Sequence, residues 1–171
     1  MTAYEREIGS AALAHGLNVS LVRAVILVES GGNPWAWNPE PHYRYLWDVA
    51  KKQPFRALTD AERKSEVPPA DFPAKAGDKD QEFWAQQASF GLMQVMGAVA
   101  RERGFDGPYL TQLCDVQTNL TYGCRHLRAL MEWAGGEASK ALGAYNAGKG
   151  GYKSAAGLRY AAKVLRQLER R

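Results

Sequence analysis

The chain has 171 residues, the length of one domain, since single domains run to about 100–200 residues. With 46% hydrophobic, 11% aromatic and 23% charged residues it can build a packed core, which excludes a disordered tail, a collagen-like fibre and a low-complexity linker. The formal charge of +4 is uneven: residues 125–171 carry ten Lys/Arg and three Asp/Glu, so +7 sits there and −3 in the first 124. Such a basic half suits a polyanion or an anionic surface.

No apolar run approaches the roughly 18 residues of a membrane span. The start, Met1-Thr2-Ala3-Tyr4-Glu5-Arg6-Glu7, lacks the basic and apolar stretches of a signal peptide, so synthesis in the cytosol is expected. Cys114 and Cys124 are too few for a disulfide framework and read as buried thiols. His15, His42 and His126 lie far apart and form no metal signature, so neither metal nor cofactor is expected.

In chain order, residues 3–14 read as an amphipathic helix ended by Gly16. Asn18 or Ser20 can cap a second helix over 21–29, whose Leu21, Val22, Ala24, Val25, Ile26, Leu27 and Val28 make it apolar nearly all round and hence buried. Gly31-Gly32-Asn33-Pro34 stops it. Residues 40–88, rich in proline and charge, read as a long irregular insertion with short helices. Helical patterns return over 92–103, 116–133 and 137–145, and a basic, amphipathic last helix runs from 155 to 171. Few segments alternate with period two, so the expected fold class is mainly α.

The chemistry concentrates at Glu29, at the C-terminal end of the most apolar helix. Burial and the negative end of the helix dipole both disfavour its charged form, and a carboxyl that keeps its proton near neutral pH can act as a general acid.

Three blocks surround this residue: Glu29-Ser30 followed by Asn33-Pro34, then Gly91-Leu92-Met93-Gln94, then Ala144-Tyr145-Asn146-Ala147-Gly148. In that order they resemble the soluble lytic transglycosylase catalytic domain. Asn119-Leu120 to Gly123, and Tyr160 with Lys163-Val164-Leu165, are similar to two further helices of that family. The resemblance implies a lysozyme-like α domain that cleaves the β-1,4 bond between N-acetylmuramic acid (MurNAc) and N-acetylglucosamine (GlcNAc) in peptidoglycan. One glutamate, matching Glu29, first protonates the leaving oxygen and then deprotonates the muramoyl C6 hydroxyl, closing a 1,6-anhydro ring without water.

A hydrolysing glycosidase ordinarily needs a second carboxylate. Where the related goose-type lysozyme has aspartates, this chain has Ala85 and Met96; Asp78, Asp80 and Glu82 stay open as bases. A hydrolytic goose-type muramidase and a non-catalytic glycan-binding virion module are therefore the alternatives. By the same resemblance Tyr145 is expected to bond Glu29 or the sugar. Gln94 and Asn146 are expected to contact sugar through their amides. Met93 is expected to wall the groove, and Ser30, Ser89 and Tyr160 to complete the substrate-binding set. The family's hydroxyl-bearing positions before Gly91 are Gln87 and Ala85 here.

Within the insertion, Tyr43, Tyr45, Trp47 and Trp84 divide between a glycan-binding lobe and a small satellite core, the core being favoured. Gly143 to Lys149 fits the start of a phosphate-binding loop, but Gly150 replaces the hydroxyl that would ligate magnesium. Expected partners are peptidoglycan glycan strands and, for the basic last helix, anionic envelope lipids. No nucleic acid is expected, since no recognition motif is present. The expected setting is a monomeric phage endolysin, held in the host cytoplasm before lysis and then acting on the wall in the periplasm.

Overall fold

A computed structural model describes residues 4–169. Helices α1 (Glu5–Ala14) and α2 (Val19–Glu29) come first; Asn18 caps α2 by accepting from the Ser20 and Leu21 amides at 2.8 and 3.2 Å. Strand β1 (Trp37–Pro39) and a hairpin of β2 (Trp47–Asp48) with β3 (Gln53–Pro54) follow, then α3 (Asp60–Lys64) and α4 (Lys79–Gln86). Next come β4 (Ala88–Phe90), β5 (Val95–Met96), α5 (Gly97–Glu102) and a 3₁₀ turn over Leu110–Cys114. The long α6 (Val116–Trp133), α7 (Ala138–Ala147) and α8 (Ala155–Glu169) complete the described chain. Arg170 and Arg171 of the expected basic helix lie outside the described residues.

The fold is mainly α and lysozyme-like, as expected, with a small sheet in the order β1-β4-β5 that the sequence did not signal. Both neighbouring pairs are antiparallel, with Trp37 opposite Phe90 and Ser89 opposite Met96. Strands of two or three residues are too short to show a period of two. The helix expected over 92–103 begins only at Gly97. Gly91 (φ 70°) and Gln94 (φ 46°) occupy the left-handed region, which no α-helix can cross, so residues 91–94 form a turn.

The main core joins Ile8 of α1, Val22, Val25 and Ile26 of α2, Leu120 and Leu127 of α6, Leu142 of α7 and Val164 of α8, all fully buried. Helix α2 is less enclosed than its composition implies, for Leu27 is 37% exposed. Within the insertion Leu46, Leu58, Phe72 and Phe83 form a second cluster, with Phe72 edge-on to both Phe55 and Phe83 at about 5 Å. None of Tyr43, Tyr45, Trp47 and Trp84, the residues favoured for such a core, belongs to it: the first three are half-buried and Trp84 is exposed. Both cysteines are free thiols, Cys124 buried and Cys114 half-buried. Among the described residues no helix is long and apolar enough to cross a membrane.

Candidate active site

Glu29 is the last residue of α2, and Ser30 closes that helix. The Ser30 hydroxyl donates to the Leu92 carbonyl at 2.8 Å and accepts from the Gly32 amide at 3.2 Å, so it ties the end of α2 to the turn 91–94. From the other side α8 packs on α2. Its Tyr160 hydroxyl donates to Glu29 Oε1 at 2.5 Å. Lys163, three residues on and so on the same face of α8, is the cation that acts on the carboxyl. Burial outweighs both of these charge-favouring partners and pushes the Glu29 carboxyl up to about 7. The carboxyl therefore keeps its proton to a higher pH than an exposed one does, and Tyr160 engages its Oε1.

The turn 91–94 is braced from three sides, by Ser30 as above, by Asn119 and by Tyr145. Asn119 of α6, fully buried, accepts from the Met93 amide at 2.8 Å. Its side-chain nitrogen donates to the carbonyls of Phe90 at 2.7 Å and Leu113 at 2.8 Å. The close approach needs glycines: a Cβ on Gly91 would lie 2.4 Å from Asn119 Nδ2, and one on Gly123 would lie 2.5 Å from Met93 Sδ. Third, the Tyr145 hydroxyl donates to the Met93 carbonyl at 2.7 Å. Tyr145 therefore bonds the turn, and it is Tyr160, stacked on Tyr145 at 6.3 Å, that bonds Glu29. Burial and the neighbouring Glu29 charge push both phenols well above their ordinary range, so they act as hydroxyl donors.

The other expected residues divide by what they touch. Met93 is fully buried and its side chain belongs to the core rather than to a groove wall; its backbone serves the site. Gln94 donates to the carbonyls of Ala36 at 3.1 Å and Gly91 at 3.0 Å and accepts from Ser89 at 2.9 Å. Gln94 and Ser89 thus hold the turn and β1 together. Asn146, at the end of α7, is exposed. Of the carboxylates left open as a base, Asp78 caps α4 through the Gln81 amide. Glu82 is buried in a two-bond ion pair with Arg101, at 2.9 and 2.7 Å. Asp80, on the first turn of α4, is exposed.

Sequence reasoning missed Lys163 as a partner of the acid, although its spacing of three from Tyr160 was a usable signal. It also missed Trp35 and Trp37, which are 74% and 61% exposed in the segment after Glu29. Among the described residues no cluster of His, Cys, Asp and Glu could hold a metal ion.

The mainly α, lysozyme-like domain thus presents Glu29 at the end of a core helix, with Tyr160 bonded to its carboxyl. The chain belongs to the transglycosylase SLT domain family, whose model matches residues 6–166. Among solved structures it is similar to an inactive E503Q mutant of the lytic transglycosylase Slt from Pseudomonas aeruginosa. The identity is 17% and the TM-score 0.61, over 97% of this chain and 23% of that one, so this chain spans under a quarter of its length. A Burkholderia AP3 phage endolysin matches at 16% identity and a TM-score of 0.43, over 97% of this chain and 69% of that one. The curated proteins contain no match.

Proposed function

We propose that this chain is a peptidoglycan lytic transglycosylase that cleaves the MurNAc-β-1,4-GlcNAc bond and forms 1,6-anhydro-MurNAc. The observation that carries the reading is Glu29 itself, a half-buried carboxyl held near pH 7 with Tyr160 and Lys163 as its polar partners. Protonated Glu29 gives its proton to the glycosidic oxygen as the C1–O bond breaks, and the GlcNAc hydroxyl departs. The resulting carboxylate, favoured by Tyr160 and Lys163, takes the proton of the muramoyl C6 hydroxyl as O6 bonds to C1. Glu29 is thereby reprotonated and no water enters. A pKa close to the working pH suits a group that must serve as acid and then as base.

Of the carboxylates considered as a hydrolytic base, Glu82 is committed to Arg101 and Asp78 to the cap of α4, which supports ring closure over hydrolysis. Asn146 is placed in this reading as a sugar-contacting amide, while Tyr145, Gln94, Ser89, Ser30 and Met93 position the turn beside the acid. Exposed Arg159 and Arg166 on α8 fit contact with the anionic envelope, and a phage lysis enzyme is the setting that goes with it. Mass spectrometry of muropeptides released from purified sacculi tests the reaction. Anhydro ends are expected, reducing ends would overturn the ring-closing mechanism, and Glu29→Gln should release neither.

A further inference from the structure

The aromatic residues most open to solvent are not those of the insertion. Trp35 and Trp37 are 74% and 61% exposed, six and eight residues after the acid. So exposed, an indole contributes little burial to folding. Their backbone, by contrast, is tightly held. The Asn33 side chain accepts from the Trp35 amide at 3.0 Å, and the Asn33 carbonyl accepts from the Ala36 amide at 3.3 Å. Between the two tryptophans, the Ala36 carbonyl accepts from the Gly91 amide at 2.7 Å and from Gln94 Nε2 at 3.1 Å. Trp37 itself sits opposite Phe90 in the sheet. The same turn 91–94 is bonded to Ser30 and Tyr145, so both indoles share one hydrogen-bonded frame with Glu29.

We infer that Trp35 and Trp37 form a shelf on which pyranose rings of the glycan strand stack as it runs past Glu29, an inference that rests on the glycan-cleaving reading above. An indole offers a flat π-face to the C–H face of a sugar and an N–H to its hydroxyl or acetamido oxygens. Trp35 lies in the turn that the Ala36 amide closes on Asn33 and Trp37 opens β1 two residues later, so their α-carbons are at most about 7 Å apart and each ring can meet a different part of the strand. Charge favours a saccharide over a lipid surface. Residues 33–40, Asn-Pro-Trp-Ala-Trp-Asn-Pro-Glu, contain no Lys or Arg and one acid, whereas docking on anionic lipid draws on clustered cations.

The test uses the full chain carrying Glu29→Gln, so that binding is read without cleavage, in co-sedimentation with purified sacculi. Trp35→Ala and Trp37→Ala should each weaken binding about tenfold, the double variant should weaken it further, and the melting temperature should stay unchanged. Trp→Tyr at either position should retain most of the binding. In the chain with Glu29 intact, the alanine variants should raise KM with kcat preserved. Sacculus binding by the double variant equal to that of its parent would overturn the shelf. So would a loss confined to phospholipid vesicles, which would assign the tryptophans to a membrane. A chain that binds sacculi through these tryptophans yet releases no muropeptides would sink the proposed activity and leave the shelf standing.

Discussion

Glu29 carries a conflict between stability and chemistry. Its carboxyl rises from an ordinary 4.5 to about 7 because burial penalises the charge. Between those values the folded chain keeps a proton that the unfolded chain releases, so stability falls as pH rises through this window and levels off above 7. The whole effect is about 3 kcal/mol. Glu29→Gln, which has no charge to bury, should therefore be more stable than the parent at pH 8 by up to that amount, with the gap closing towards pH 5. Urea denaturation at the two pH values checks this, and a gap of constant size would refute it. In the proposed mechanism activity has the matching sign: Glu29 would start protonated, so the rate should decline above about pH 7. Lys163 and Tyr160 both favour the carboxylate, so Lys163→Ala and Tyr160→Phe should each move that decline to higher pH. A profile that moves to lower pH would contradict the assignment.

Among the elements, the turn 91–94 depends most on distant partners. Its sequence, Gly-Leu-Met-Gln, continues without a break into an apolar stretch, which is why a helix was expected from residue 92. The left-handed Gly91 and Gln94 are stabilised by groups far along the chain, namely Asn119, Ser30, Tyr145 and the Ala36 carbonyl, and local propensity cannot register these. Asn119→Ala would strand the Met93 amide and the carbonyls of Phe90 and Leu113 in the core. Each buried group left without a partner costs about 1–3 kcal/mol, so thermal unfolding should show a loss of 3 kcal/mol or more. Helices α2 and α6 were legible for the opposite reason. Each has a capping Asn or Asp before its first turn, and then α2 is a nearly unbroken apolar run while α6 is long and keeps one apolar face.

Across the molecule, the insertion is joined to the main core through polar groups as well as apolar ones. Arg101 on α5 holds Glu82 on α4 and also donates to the carbonyls of Phe105 and Gly107 at 3.0 and 2.7 Å. Gln86 extends this network to β2, exchanging two bonds with the Trp47 backbone at 2.8 and 3.0 Å. Removing one partner leaves a buried charge uncompensated, so Arg101→Met should cost about 3–5 kcal/mol. Limited proteolysis should then cut first within residues 40–88, and cleavage beginning elsewhere would show that the pair does not anchor the insertion. The unevenness of charge noted in the sequence has a counterpart in the fold. The basic half supplies α8, whose Lys163 tunes the acid, whereas the tryptophan segment beside Glu29 lies in the acidic half.

By itself the sequence determined the mainly α class, the buried helix that ends in Glu29 and the three blocks that surround it, because each is a local pattern of apolar spacing, caps and breakers. That helix's composition alone marked Glu29 as a carboxyl whose burial favours the protonated form. Tertiary structure decided which tyrosine meets the acid, placed Lys163 beside it and committed Glu82, Gln94 and Ser89 to partners inside the protein. It also left Trp35 and Trp37 open while half-burying Tyr43, Tyr45 and Trp47. These outcomes depend on which surfaces of distant segments meet, and that is set by the packing of the whole chain rather than by any stretch of it.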